Sequence, residues 1–523
     1  MSVSVADRSA DLLASYEAFP YESAAIPATH PDTIATAAIL RGLTPPPIER
    51  CRVLELGCGT GANVIAMAFG LAGASFVGVD LSPRQIASGR RLIAELGLDN
   101  VRLEALSIGD IDDGFGVFDY IICHGVYSWV PAEIREAILR ICSRNLSSDG
   151  IAYVSYNTYP GWHLRAIVRE LVLFHDRADL PAPDRVSRGR QIVELAARSA
   201  PQSDPVYSAV LREELAALEM ANDSYFLHEE LESINEPLYF REFVGRAGTA
   251  GLRYVTEAHP SVTARALPAE TRAAIRECAG DELELEQYLD FVCNRTFRQS
   301  LLCHADRMAT AEPSPATVKE LRLRARCSVD RSAAERPGVE VFRTIKGLTV
   351  TIEQPLVRAA LHALIDARPR ALTFAEVWAR TSERLATMPG ITAGSAGGVE
   401  ELAEAMLQSA LVRLIDLHVH AAPCATRVSR CPVASPLARL QAQRSQSVTS
   451  LTHLTVELSP FDQAVLLQLD GTRDHDEIVD AVHDAIVCGE LVVGEGETPG
   501  RPSVVEAVGR ALDNLLAVAL LVA

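Results

Sequence analysis

The run Val53-Leu-Glu-Leu-Gly-Cys-Gly-Thr-Gly61 sets three glycines at alternate positions, directly after an apolar stretch of strand length and before a segment of helical periodicity. Glycine at such a turn permits positive φ and lets the backbone approach a ligand more closely than a β-carbon allows. This feature narrows the fold to the open α/β sheets, which bind ligands at the carboxyl ends of parallel strands.

The surrounding pattern agrees. From Arg52 to Tyr156 short apolar runs alternate with helical segments, predicting strands at Arg52–Leu56, Ser75–Val79, Val101–Leu106, Asp119–Cys123 and Ile151–Tyr156. Ser82, Pro83, Gln85 and Gly97 mark the start and stop of the helix after the second strand. Beyond Trp162 helical patterns take over at Leu164–Phe174, Val206–Met220 and Leu285–Leu302. A further change of texture follows Ala311-Glu-Pro-Ser-Pro315, with helices predicted at Leu356–Ala367 and Val399–Leu417, strand-like stretches at Val339–Ile352 and Ser450–Val456, and a hairpin loop at Gly494–Pro502. The sequence therefore predicts an α/β Rossmann-like domain over residues 1–165, a mostly helical middle domain over 166–315, and an α+β, winged-helix-like domain over 316–523.

Gly57, Gly59 and Ala62 also satisfy the dinucleotide form of the glycine motif, so the ligand must be chosen by its neighbours. Glu55 would repel a pyrophosphate, whereas it attracts the ammonium of an amino-acid-bearing cofactor. Asp80, at the end of the second strand, suits ribose hydroxyls and serves any nucleoside. With Leu56 and Gly61 completing the turn, Leu81 and Ile108 placed to sandwich an adenine, and Ser107 and Asp110 near its polar edge, the set points to S-adenosylmethionine (AdoMet).

Two later segments leave strand ends on the same side. Phe118-Asp-Tyr-Ile-Ile-Cys-His-Gly-Val-Tyr-Ser-Trp-Val-Pro131 offers His124, Tyr127 and Trp129, and His124 lies close enough to the cofactor to count in both sets. Trp129 suits the core and the active-site wall equally. Val154-Ser-Tyr-Asn-Thr-Tyr-Pro-Gly-Trp-His163 offers Tyr156, Asn157, Tyr159, Trp162 and His163. Aromatic faces stabilise a sulfonium and a methylammonium product. His124, Tyr127, Tyr156, Asn157 and His163 are the candidate catalytic residues, and Trp129, Tyr159 and Trp162 the candidate acceptor wall. Tyr16, Tyr21 and His30 precede the first strand, where aromatics with polar tips suit either a lid over the site or a surface helix docked on the sheet.

A formal charge of −19 disfavours nucleic acid and favours cationic acceptors such as amines. The 11 cysteines show no paired CxxC spacing, which argues against zinc or a disulfide framework and for reduced thiols in the cytoplasm. No stretch approaches the roughly 20 apolar residues of a membrane span, and the first residues lack a signal-peptide core.

At these residues the chain resembles the bacterial class I methyltransferases that carry a methyltransferase regulatory domain, a group that includes lysine methyltransferases of outer-membrane proteins. The resemblance rests on Tyr16–Phe19, Tyr21–Ser23 and His30-Pro31, the glycine turn, His124–Pro131 and Ser155–Trp162. It continues through His228-Glu-Glu-Leu231, Asn235–Phe240, Gln287–Phe291, Asn294–Leu302 and Leu469–Arg473. It implies AdoMet-dependent methyl transfer, with lysine side chains of a protein as acceptor and a homodimer as a common assembly. A small-molecule N- or O-methyltransferase and a non-catalytic AdoMet-binding regulator remain open. In the middle region the residues themselves suggest a local Asp290–Asn294 pair, docking of that helix by Arg295 and Arg298, and a cap or cavity role for His228 and Glu229.

Overall fold

A computed structural model describes residues 23–201, 203–259, 267–309, 312–332, 338–345, 347–388, 397–492 and 500–522. Its described residues divide into two compact units. One takes Ser23, Cys51–Ile65 and Ala74–Met308, and the other takes Ala24–Arg50, Ala66–Gly73 and the chain from Ala309 onward.

The first unit is built on a seven-stranded sheet of β1 (Arg52–Leu56), β2 (Ser75–Asp80), β3 (Val101–Ala105), β4 (Phe118–Cys123), β5 (Leu146–Asn157), β6 (Leu252–Glu257) and β7 (Phe297–His304), in the order β3-β2-β1-β4-β5-β7-β6. The first five strands are parallel, with Val53 opposite both Phe76 and Tyr120, while β7 runs antiparallel between β5 and β6. Strands β1, β2 and β4 are apolar on consecutive residues because helices cover both faces of the sheet. The helix Pro83–Leu96 begins where Ser82 Oγ accepts the Gln85 N–H at 3.3 Å and ends at Gly97, whose φ is +64°. Three helices, Gly161–His175, Ala182–Ser199 and Pro205–Met220, bury Val168, Val172, Val193, Leu211 and Leu218 against Phe226.

Two predicted helices prove to be a helix followed by a strand. Leu285–Leu302 divides into a helix, Glu282–Cys293, and β7, and Val399–Leu417 divides into a helix, Val399–Leu411, and the strand Ile415–His418. Each break carries a non-glycine residue at positive φ, Asn294 at 47° and Arg413 at 62°, which an α-helix cannot continue through. Asn294 is thus a helix cap and not the partner of Asp290. The Asp290 carboxylate is instead held bidentately by Arg298, Nε to Oδ2 and Nη2 to Oδ1, both at 2.8 Å, with Arg295 at 3.0 Å. Arg298 is fully buried and also reaches Glu257 on β6 at 2.8 Å, so one guanidinium joins β6, β7 and the helix Glu282–Cys293.

These elements cut across the predicted boundaries at 165 and 315. Strands β6 and β7, from the region read as helical, complete the sheet, and Ala24–Arg50 groups with the C-terminal unit. That second unit holds two three-stranded sheets and a short hairpin. One core surrounds Leu323, Phe342, Leu361 and Met406, and another surrounds Val448, Leu466, Ile478 and Leu512. The hairpin pairs Ser447–Thr449 with Thr455–Glu457 and is followed by the helices Pro460–Gln468, His475–Val487 and Arg501–Ala517. Most of the loop predicted at Gly494–Pro502 lies outside the described residues.

Candidate functional site

Strand β1 ends at Leu56, fully buried, and the turn that follows folds back on β2: the N–H groups of Gly57 and Cys58 donate to Val79 O at 2.8 and 3.0 Å. Gly57 has a φ of +72°, and a β-carbon there would sit 2.4 Å from a methyl of Val126. Gly59 and Gly61 also have positive φ. The sequence used glycine because both the conformation and the space demand it.

Glu55 is buried on β1. Asn63 Nδ2 donates to its Oε1 at 2.6 Å, and Oε2 is buried with no hydrogen-bond partner among the described residues. Burial pushes this carboxyl up to about 7, against the opposing bond from Asn63. Asp80 closes β2. Its Oδ2 accepts the Gly59 N–H at 2.8 Å and its Oδ1 accepts the Ser82 N–H at 2.9 Å, while burial raises its pKa in spite of these bonds. A carboxylate offers about four acceptor positions, so the group retains capacity for a ribose. Leu81, Ser107 and Ile108 are half-buried and Asp110 is exposed, with Ser107 Oγ capping Gly109 at 3.2 Å. Ser23, at the start of the described chain, accepts the Thr60 N–H at 3.2 Å. An unpaired buried carboxylate oxygen at the turn, an acidic residue one strand away and a glycine cradle fit a cofactor with an ammonium and a ribose.

On the acceptor side, His124 follows β4, its Nδ1 2.8 Å from Tyr153 Oη and its ring 5.9 Å from Phe297. Desolvation lowers its pKa to about 4, so the imidazole is neutral near pH 7. Asn157 ends β5, donating from Nδ2 to Asn235 Oδ1 at 3.0 Å and from its N–H to Ser128 Oγ at 2.9 Å. Tyr159 is half-buried, and exposed His163 stacks on it at 4.1 Å and meets Tyr239 Oη at 3.1 Å.

Tyr127 and Tyr156 are not exposed at the strand ends. Both are fully buried in the core beside Phe243, with Tyr156 stacked on it at 4.1 Å and its hydroxyl 3.3 Å from Ser300 Oγ. Burial holds the Tyr156 phenol well above its ordinary range, which unsuits it as a base. Trp129 and Trp162 are likewise buried, edge to face at 6.3 Å, with Arg169 and Arg165 over their rings. Core packing is the role this placement gives them. His30 belongs to the second unit, where its Nδ1 caps the helix Pro31–Leu40 and its ring lies 5.0 Å from His453. The sequence left His30 between a lid and a docked surface helix; the structure makes it a helix cap, and Tyr16 and Tyr21 lie outside the described residues.

Several neighbours escaped sequence reasoning. Tyr153 fixes His124 from the middle of a strand, and Phe297 reaches it from β7, which the helical reading had hidden. His228, Glu229 and Glu230 lie on a π-helical turn, Leu227–Leu231, with Arg165 facing both glutamates. Glu230 is buried and pushed up to about 7.

Comparison with known proteins bears directly on this site. A family model described as a methyltransferase domain matches residues 48–177, one described as a predicted methyltransferase regulatory domain matches 222–304, and one described as the PKMT C-terminal winged helix domain matches 431–520. An uncharacterized protein of Rickettsia prowazekii is 32% identical over 501 residues, covering 92% of this chain and 88% of the relative. The chain belongs to this methyltransferase family. A second Rickettsia prowazekii protein is 40% identical over 233 residues, 45% of this chain and 93% of the relative. The solved structure of PKMT2 from Rickettsia typhi superposes with a TM-score of 0.85 at 26% identity, covering 96% of this chain and 100% of that one. Its complex with AdoHcy gives 0.84 with the same coverage. This methyltransferase is therefore AdoMet-dependent, with a Rossmann-like sheet, a helical middle region and a C-terminal winged helix domain. No helix among the described residues is long and apolar enough to cross a membrane.

Proposed function

We propose that this methyltransferase N-methylates lysine side chains of a protein acceptor. The observation that carries the reading is the likeness along nearly the whole chain, winged helix included, to PKMT2, a protein lysine methyltransferase. The sulfonium of AdoMet supplies the electrophilic methyl group. Glu55 would hold the amino-acid ammonium through its bare Oε2, and Asp80 the ribose, with the glycine turn supplying close backbone approach. His124, Asn157, Tyr159 and His163 lie at the carboxyl ends of β4 and β5 and are the groups left to meet the acceptor once Tyr127, Tyr156, Trp129 and Trp162 are assigned to the core.

A lysine ammonium, with a pKa of about 10.4, must lose its proton before its lone pair can attack. His124 at about 4 is too weak a base to hold that proton for long, so its role is to orient the amine as a neutral hydrogen-bond partner. Desolvation by the surrounding aromatic rings favours the neutral amine, whose proton passes to solvent before the amine is enclosed. The amine nitrogen then takes the methyl as the carbon–sulfur bond breaks and AdoHcy leaves as the neutral thioether, and in-line alignment supplies much of the rate.

Incubation of the purified protein with methyl-labelled AdoMet and a cell lysate tests the reading. Label in protein bands that hydrolyses to methyllysine supports it. Label confined to small molecules, or label nowhere, overturns it.

A further inference from the structure

We infer that the half-exposed aromatic rings of Tyr159, His163, Tyr239 and Phe291, continued by Phe297, form a docking track for an extended, lysine- and arginine-rich segment of the acceptor. The inference rests on the protein-acceptor reading and goes beyond it in naming the chemistry that surrounds the target amine.

The track begins at the candidate site. Phe297 opens β7 directly opposite Asn157, the last residue of β5, and its ring meets His124 edge-on. Two residues beyond β5, Tyr159 stacks with His163 at 4.1 Å and packs against Tyr239 at 5.2 Å, and Tyr239 reaches Phe291 at 5.7 Å. These rings come from four separate segments of the first unit, so no local sequence pattern accounts for their meeting. Phe291 is 51% exposed and Phe297 37% exposed, well beyond what a ring committed to the core would leave to water.

The charge around the rings selects the occupant. Glu242 accepts the Tyr239 N–H at 3.0 Å, which sets a carboxylate beside the rings, and Glu242 and Glu170 add to burial in raising the Tyr159 phenol. The nearby exposed cation Arg241 is offset by Glu284 at 3.6 Å. Ring faces beside carboxylates attract ammonium and guanidinium groups, whereas they offer nothing to an acidic segment. Tyr159, His163 and Tyr239 meet pairwise, with His163 and Tyr239 6.3 Å apart, and Phe291 extends this cluster from Tyr239, so the joined ring surface is larger than a single small amine would cover and suits successive side chains of a peptide.

The test uses the full-length protein saturated with AdoHcy and a short fluorescein-labelled peptide alternating lysine and glycine, followed by fluorescence anisotropy. Phe291→Ala and Tyr239→Ala should each weaken the peptide by about tenfold, with AdoHcy affinity held within a factor of about two. Phe291→Trp should restore binding, which a fold defect would not allow. The same peptide with acetylated lysines, and one with glutamate in place of lysine, should bind at least about tenfold more weakly than the lysine peptide. Unchanged binding in both alanine variants overturns the track, as does equal binding of the acetylated peptide. Sedimentation showing that Phe291→Ala dissolves a dimer also overturns it, because a second copy would then be the occupant. Normal labelling of lysate proteins by both alanine variants removes the track and leaves lysine methylation standing, whereas peptide binding with no protein labelling by the unaltered enzyme removes lysine methylation itself.

Discussion

Asn63 donates from Nδ2 to Glu55 Oε1 at 2.6 Å, and the other carboxylate oxygen is buried with no hydrogen-bond partner among the described residues. Burial pushes the Glu55 pKa up to about 7 against the opposing bonds from the Asn63 side chain and the Val64 backbone, and Asp80 adds to the rise. An ammonium placed against Oε2 stabilises the ionised form, so binding of the cofactor and loss of the Glu55 proton are coupled.

AdoMet affinity should therefore rise as pH increases toward about 7 and fall on the acid side by up to about tenfold per pH unit. In the free protein the sign is opposite. The folded-state pKa lies above the ordinary 4.5, so the folded state binds more protons than the unfolded one and Glu55 erodes stability as pH rises from 4.5 to about 7. Glu55→Gln should flatten the affinity profile and remove this part of the stability slope. Calorimetric titration at several pH values checks the first, and thermal melts of the ligand-free protein check the second. An unchanged profile in the variant would detach Glu55 from the cofactor.

Gly57→Ala should abolish measurable AdoMet binding while leaving the second unit folded. At φ +72° a β-carbon would sit 2.4 Å from Val126 Cγ2, so the turn must shift. Backbone strain at such positions costs on the order of 1–3 kcal/mol, before any loss of ligand contacts. Titration calorimetry and the first melting transition report the two effects separately.

Arg298→Ala should destabilise the first unit by about 3–5 kcal/mol, because it strands Asp290 and Glu257 in a buried setting. Pairing it with Asp290→Asn should recover part of the loss, and a double-mutant cycle in urea measures the coupling. Full additivity would mean that Arg298 acts through Glu257 alone.

The glycine turn and all five parallel strands were legible from residues 52–157 because periodicity and turn chemistry are local there, and Glu55 and Asp80 fall on the strands where the sequence put them. Strands β6 and β7 were not legible. They are separated by about forty residues, and β7 follows its helix without a glycine or proline to announce the change; only Asn294 at positive φ marks it. The same concealment removed Phe297 from the expected site. Tyr127 and Tyr156 show the same limit: an aromatic near a strand end reads as a pocket wall, while Phe243, more than eighty residues later in the chain than either, packs on both rings. Contacts of that sequence separation leave no local trace. His30 was placed by its proximity to β1 in the chain, while its partner His453 lies more than four hundred residues away.

Asp80 carries two duties, and substitutions should separate them. Its Oδ2 holds the Gly59 N–H and its Oδ1 the Ser82 N–H, so the carboxylate shapes the glycine turn before any cofactor arrives. Asp80→Ala strands both amides and removes the acceptors for a ribose. Hydrogen bonds to a charged acceptor contribute on the order of 1.5–3 kcal/mol each, so affinity for AdoMet should fall by about a hundredfold or more. Asp80→Asn keeps one oxygen for the Gly59 amide but loses the charge and one acceptor, and a loss of about tenfold is expected. The ratio between the variants is the informative quantity, read by calorimetry with AdoMet and again with AdoHcy. Equal losses would mean that the ribose contact dominates, whereas a near-native asparagine variant would mean that Asp80 acts chiefly by shaping the turn.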